Sequence, residues 1–277
     1  MKALFLLERR PHPMPTPLLK EVFGRLGRRG CDVRWAIPEE LLIRPDELAV
    51  EHDLYLLKSY SDLTLSVAAI LHAQGARILN PYPSCIAARD KLVAVRRLRE
   101  ADIPIPRTWA GSEHELVARV LGTTPLVAKP SRGLHGAGVS FVPSGAGLPD
   151  RCVDGGPTIF QEHVAGSGED LKVYVVGEEV FAVRKPFDSA SFSRPGRPCP
   201  VDDGVREIAL RCGAAFGLGL YGLDLVEGPD GPVVIDLNYF PGYRGVPHAA
   251  ALVADYIHGF GRGQHDLWLP ALTAAAH

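Results

Sequence analysis

The chain has 277 residues, more than one compact domain usually holds, so two or three packed lobes are expected. Hydrophobic residues make up 46% and charged residues 22%, an ordinary globular balance, and a formal net charge of −2 argues against binding nucleic acid through bulk charge. Five cysteines (Cys31, Cys85, Cys152, Cys199, Cys212) contain no CxxC pair and read as reduced thiols, not as a zinc site or a disulfide framework.

The opening "MKALFLLERRPHP" has too short an apolar run for a signal peptide. No stretch reaches the ~20 apolar residues that span a bilayer, so a soluble, cytoplasmic protein without a membrane partner is expected. "KALFLLE", "CDVRWAI" and "DLYLLKS" read as buried strands. "TPLLKEVFGRLGRRG" and "DLTLSVAAILHAQGA" read as helices that stop at glycine, and "RILN" is a short strand. This alternation predicts a parallel sheet flanked by helices over residues 1–80, without a G-x-G-x-x-G or GxxxxGK[ST] phosphate loop.

"NPYPS" breaks the chain, and "CIAARDKLVAVRRLREADI" predicts one basic helix. "PLVAKP", "VSFV" and "GPTIFQEHV" read as strands, the first two flanking the glycine loop "SRGLHGAG". "EDLKVYVVGEEVFAVRKPF" alternates around Gly177 and predicts a β-hairpin. A Ser-, Pro- and Arg-rich loop is expected from Asp188 to Pro200. A helix at "DDGVREIALRCGAAFGL" and a second hairpin, "LYGLDLVEGPDGPVVIDLN", follow, and "HAAALVADYIHGF" is the last clear helix. The segmentation predicts residues 1–80 as an N-terminal α/β unit. Residues 81–156 form a central unit with the glycine loop, and 157–277 a C-terminal unit.

Asp236 and Asn238 lie two apart in a greasy strand and so share one sheet face. Unpartnered burial would cost each kilocalories. With a four-residue turn at Gly228–Gly231, Asp224 falls opposite residue 235, and one bulge brings it beside Asp236. Such oxygens suit Mg²⁺, which also takes phosphate oxygens; the alternative is a solvent-facing pair on an edge hairpin. Gly133, Gly136 and Gly138 would let backbone N–H groups approach an anion, or would simply form an ordinary turn. The run Gln161-Glu162-His163-Val164 could offer backbone groups to a flat base. Lys91, Lys129, Lys172, Arg184 and Lys185 recur after successive elements. Lys172 and Arg184 sit among Val, Tyr and Phe, where charges need partners.

Taken in order, "RDKL", "LVAKP", the glycine loop, "FQEHV", "DLKVYVVG", "VRKP", "GLDLVE" and "VIDLN" resemble the ATP-grasp superfamily across most of the chain. The resemblance implies a mixed α/β and α+β fold: an N-terminal parallel lobe and two lobes clamping ATP. It implies that Lys91 and Lys129 contact phosphates and that Gln161, Glu162, His163 and Val164 line the adenine site, Glu162 and Val164 through their backbones. Glu169 or Asp170 would reach the ribose, and the loop Ser131 to Gly138 would close over the terminal phosphates. Arg184, with Lys172, would stabilise the transferred phosphoryl group. Asp224, Asp236 and Asn238 would hold Mg²⁺, with Mn²⁺ as an alternative ion.

The glycine loop is similar to bacterial ligases that attach glutamate or build lysine on a carrier protein. The stretches "KVYVVGEEVFAVRKP" and "DLNYFPGY" are similar to inositol trisphosphate kinases. The expected activity is carboxylate–amine ligation through an acyl phosphate. The alternatives are phosphoryl transfer to an alcohol and nucleotide binding without catalysis. Lys58, Arg194, Arg197, Arg244 and His248, with Gly242 and Tyr243, are the candidate groups for an anionic small-molecule or peptide acceptor. Oligomeric state stays open, a dimer included.

Overall fold

The computed structural model describes residues 1–9, 14–111, 124–131, 138–144, 157–166, 168–186 and 196–272. Strands β1 (Lys2–Leu7), β2 (Asp32–Ala36), β3 (Leu54–Lys58) and β4 (Ile78–Leu79) form a parallel sheet in the order β2-β1-β3-β4. Central β3 buries Leu54, Tyr55, Leu56 and Leu57, as a strand covered on both faces must. Helix α1 (Pro17–Arg28) starts at Thr16, whose hydroxyl accepts from Leu19 N, and α2 (Asp62–Ala73) starts at Ser61, which accepts from Thr64 N. No helix among the described residues is long and apolar enough to cross a membrane.

The expected single basic helix is two. Helix α3 (Tyr82–Arg89) ends at Asp90, whose ψ of 107° leaves helical space, and α4 (Lys91–Glu100) begins at once. The Asp90 carboxylate accepts from Leu92 N at 3.0 Å and Val93 N at 3.2 Å. An aspartate competes for backbone donors in this way, and its N-cap geometry outweighs the helical periodicity.

Strands β5 (Thr108–Gly111), β6 (Leu126–Pro130), β7 (Ser140–Val142) and β8 (Thr158–Glu162) form an antiparallel sheet, order β5-β8-β6-β7. Strand β8, which the sequence segmentation placed in the last unit, lies between β5 and β6. Leu126, Ala128, Val142 and Phe160, with Trp109, form a hydrophobic cluster of their own here.

The third sheet is antiparallel, in the order β11-β10-β9-β12-β13. Its strands are β9 (Glu169–Val176), β10 (Glu179–Pro186), β11 (Arg197–Cys199), β12 (Leu220–Gly228) and β13 (Gly231–Tyr239). Gly177 turns the first hairpin with φ 62°, and Gly231 closes the second turn with φ 114°. Strand β11 falls inside the stretch expected to be loop. It pairs with β10 from Ala182 to Arg184. Helices α5 (Asp203–Phe216) and α6 (Ala249–Gly261) precede and follow the β12–β13 hairpin, and α6 packs against α1.

The first and third sheets share one continuous core. Buried Asn80 fastens them: its amide donates to Leu220 O at 2.7 Å and accepts from Gly219 N at 2.9 Å and Leu220 N at 3.0 Å.

Candidate nucleotide and metal site

The β12–β13 register decides where the aspartates go. Leu225 pairs with Val234 but Asp224 pairs with Asp236, so Ile235 is left over as a bulge. Directly opposed residues point to the same face. Asp224, Asp236 and Asn238 therefore lie on one face, and Lys172 joins them as Asp224's partner on β9. Asp170 is two residues along β9, and its partner on β10 is Lys185.

Lysines already cover the carboxylates. Lys172 Nζ is 2.6 Å from Asp224 Oδ2 and 3.6 Å from Asp170 Oδ2. Lys91, the first residue of α4, places Nζ 2.6 Å from Asp236 Oδ1. The Asn238 amide lies 3.4 Å from Asp236 Oδ2. Lys129, on β6 of the central sheet, donates to Ile235 O at 2.9 Å, the carbonyl of the bulged residue. Lys91, Lys129, Gln161, Val234 and Asp236 line a cleft between the central sheet, α4 and β13.

The charges respond to these contacts. Burial pushes Lys129 down to about 8, against the attraction of Asp236. Burial alone would raise Asp236, but Lys91 and Lys129 hold it below the usual carboxylate range. Burial would lower Lys172, and the Asp224 pair more than offsets that. Burial raises Asp170 despite Lys172, and its Oδ1 is buried without a hydrogen-bond partner among the described residues. Lys185 is lowered by burial and by Lys172 and Arg244.

Arg184 is not brought to this face. It pairs with Leu171, which pairs with Leu225, so its side chain leaves the sheet on the side opposite Lys172 and Asp224. There its guanidinium makes a two-pronged ion pair with Glu227, one arm at 2.8 Å. Glu169 is on that side too, 3.9 Å from Arg197, so Asp170 is the acid that faces the site. Lys185, not Arg184, is the β10 cation on the face of Lys172 and Asp224. The signal was present in the sequence: a two-residue turn at Gly177-Glu178 opposes Lys172 to Val183 and Asp170 to Lys185.

The remaining candidates divide. Gln161 Nε2 reaches Thr108 Oγ1 at 3.3 Å, and Glu162 pairs with Arg107. His163 packs edge-on against Phe141, and Val164 lies against the β12–β13 turn at Gly228. Ser131 N bonds Pro157 O, and Gly138 has φ 73°. Lys58 Nζ donates to the Phe240 and Pro241 carbonyls and sits over the Phe240 ring, tying β3 to the turn. Tyr243 is 2% exposed with its hydroxyl on Val175 O, an anchor that faces the core and not an acceptor. A side chain would fit at Gly242, whereas at Gly245 a Cβ would lie 2.6 Å from Gly196 O. Gly245, which sequence reasoning passed over, is the glycine that the turn requires. Arg244 and His248 are exposed, and Arg244 is close enough to Tyr174 and Lys185 to bias their titration. Gly133, Gly136 and Arg194 lie outside the described residues.

Among the described residues, no three His, Cys, Asp or Glu side chains form a group that could hold a metal ion. The donor set nevertheless fits Mg²⁺, which characteristically takes one or two carboxylates plus phosphate oxygens and water. The Asp224 and Asp236 side chains are 21% and 31% exposed, open enough for a phosphate-borne ion to reach.

A parallel sheet followed by two antiparallel ones, with Lys129 of the second reaching β13 of the third beside Asp236, is ATP-grasp architecture. Residues 88–255 match the RimK-like ATP-grasp domain, and the chain belongs to that family. It is 32% identical over 192 residues to a probable alpha-L-glutamate ligase of Xanthomonas oryzae, covering 64% of this chain and 65% of that protein. It is 26% identical over 257 residues to beta-citrylglutamate synthase B of Danio rerio, covering 84% of this chain and 61% of that protein. The chain thus spans less than two thirds of the length of these relatives. Among solved structures, a RimK domain ATP-grasp protein from Sphaerobacter thermophilus superposes with a TM-score of 0.75 at 19% identity, covering 94% of this chain and all of that one. The ligase PsnB, in complex with a minimal precursor, Mg and ADP, gives 0.69 at 19% identity, over 94% of this chain and 97% of PsnB. At these identities the superpositions speak for the fold.

Proposed function

We propose that the protein is an ATP- and Mg²⁺-dependent ligase that joins a carboxylate to an amine. In this reading a substrate carboxylate oxygen attacks the γ-phosphorus and ADP departs. The amine then attacks the acyl carbon of the acyl phosphate, phosphate leaves, a proton is lost, and an amide forms. The observation that carries the reading is the meeting of Lys91 and Lys129 with Asp236 in one cleft, beside the Lys172–Asp224 pair on the same sheet face. Phosphoryl transfer needs positioning and charge neutralisation more than covalent help, and these residues supply both.

Asp224, Asp236 and Asn238 would hold the divalent ion, which neutralises charge developing on the phosphates. Lys91 and Lys129 would bind phosphate oxygens, and Lys172 and Lys185 the transferred group. The unpaired Oδ1 of Asp170 suits a hydroxyl donor such as the ribose. Relatives named as glutamate ligases and synthases favour glutamate or a similar amino acid as the amine, and a polycarboxylate or a peptide as the carboxylate partner. The test is incubation with ATP, Mg²⁺, glutamate and candidate carboxylates, scored for ADP, free phosphate and an amide by mass spectrometry. ADP with equimolar phosphate and amide supports the ligase. ADP with the phosphate retained as an ester would make it a kinase, and no turnover with any acceptor would leave only nucleotide binding.

A further inference from the structure

The two carboxylates assigned to the metal are each held by a lysine at 2.6 Å, Asp224 by Lys172 and Asp236 by Lys91. A third ammonium, Lys129, caps the bulge carbonyl between them in sequence. A fourth, Lys185, faces Asp170 across the strand pair. Among the described residues, the three carboxylates on this face (Asp170, Asp224, Asp236) are thus outnumbered by the four lysines on and around it, before the nearby Arg244 is counted. Such a cleft attracts a polyanion and repels a bare dication.

We propose that Lys172 and Lys91 stand in for the divalent ion in the nucleotide-free protein, so that the metal enters only together with the nucleotide. This deepens the nucleotide-site reading above and rests on it. Mg²⁺ gives up water reluctantly and gains little from two carboxylates that already have partners. Its complex with ATP is still anionic, so the phosphates can draw the ammonium groups off the carboxylates as the ion reaches them. Each lysine exchanges a carboxylate for a phosphate oxygen, and each carboxylate exchanges a lysine for the ion. No buried charge is left unpaired at any stage, which matters for Lys172 because its side chain is only 9% exposed.

The test uses Mn²⁺ as the probe, with free ion counted by electron paramagnetic resonance, and the non-hydrolysable analogue AMPPNP as nucleotide. Wild-type protein is expected to bind no Mn²⁺ by itself in the micromolar range and one or two ions with AMPPNP. Lys172→Met and Lys91→Met are expected to bind Mn²⁺ without nucleotide at least about tenfold more tightly than wild type, because each leaves a carboxylate unpaired. Binding of Mn²⁺ alone to wild type as tightly as in the presence of AMPPNP would overturn the exchange and leave the nucleotide site standing. So would folded Lys→Met variants that bind the bare ion no better than wild type. Should Lys172→Met fail to fold, the more exposed Lys91→Met decides together with wild type. Failure of AMPPNP to bind wild type with Mn²⁺ would remove the nucleotide-site reading itself, and the exchange with it.

Discussion

An ammonium pressed against a peptide carbonyl gives up most of its water. Lys129 is in that state, 9% exposed with Nζ on Ile235 O, and burial brings it to about 8. Below that value the free protein presents a cation to the phosphates; above it the proton must be taken up on binding. Nucleotide Kd is therefore expected to be flat near pH 6 to 7 and to rise as pH passes about 8, by up to about tenfold per pH unit. Calorimetry across this range checks it, and Lys129→Met should bind more weakly with that rise abolished. An unchanged slope in the variant would assign the titration to another group. A second contrast separates neighbours on β10. Lys185→Met is expected to lower kcat/KM at least about tenfold, the loss of one charge contact near the transferred group. Arg184→Met breaks its pair with Glu227 on the opposite face, so it should lower Tm with kcat/KM nearly intact. The reverse pattern would return Arg184 to the chemistry.

At the scale of elements, two short signals position the site. Asp90 ends α3 and caps α4, which fixes Lys91 at the first helical position beside Asp236. Asp90→Ala is expected to cost about 1 kcal/mol of stability. It should also weaken nucleotide binding, since the Lys91 anchor loosens. A thermal melt paired with a titration reads both, and a melt shift with unchanged affinity would make the cap purely structural. In the turn after Asn238, Gly245→Ala should destabilise strongly, because φ 90° and the Gly196 carbonyl leave no room, while Gly242→Ala should be mild. These elements also mark what could be read from sequence. The β12–β13 register was legible as far as Leu225, because the Gly228–Gly231 turn sets Asp224 opposite residue 235; the bulge that brings Asp236 beside it was one of two readings, and the strand pairing decides for it. The side of the sheet taken by Arg184 was equally computable from the Gly177-Glu178 turn, but its expected role came from the family resemblance and not from strand parity. The break at Asp90 was obscured by continuous helical periodicity on both sides of one residue. Strand β11 was not legible, since three residues beside a proline-rich run carry no alternation, and only pairing with β10 makes them a strand.

Across the whole molecule, the cores are unequally joined. The parallel sheet and the third sheet share one hydrophobic cluster, and Asn80 binds β12 from the end of β4. Removing its amide strands two backbone donors, Gly219 N and Leu220 N, in the interior, each unsatisfied group costing about 1–3 kcal/mol, while Leu220 O keeps Phe240 N. The central sheet has a separate cluster, and a described link from it to the third sheet is the bond from Lys129 to Ile235 O, a contact that nucleotide would compete for. Local stability follows such connectivity, so the central sheet should open at lower free energy than β9 or β12. Amide hydrogen exchange is expected to be faster in β6 and β8 than in β9 and β12 without nucleotide. Addition of AMPPNP with Mg²⁺ should slow β6 and β8 selectively, because in the proposed site the ligand would bridge Lys129 on one sheet to Asp224 and Asp236 on the other. A bridging ligand can protect the looser sheet only up to the opening energy of the tighter one. Rates in β9 and β12 should accordingly change much less. Equal protection of all three sheets before nucleotide is added would mean that the central sheet is already one cooperative unit with the rest. In that case ligand binding would stabilise the molecule as a whole and would not close a cleft.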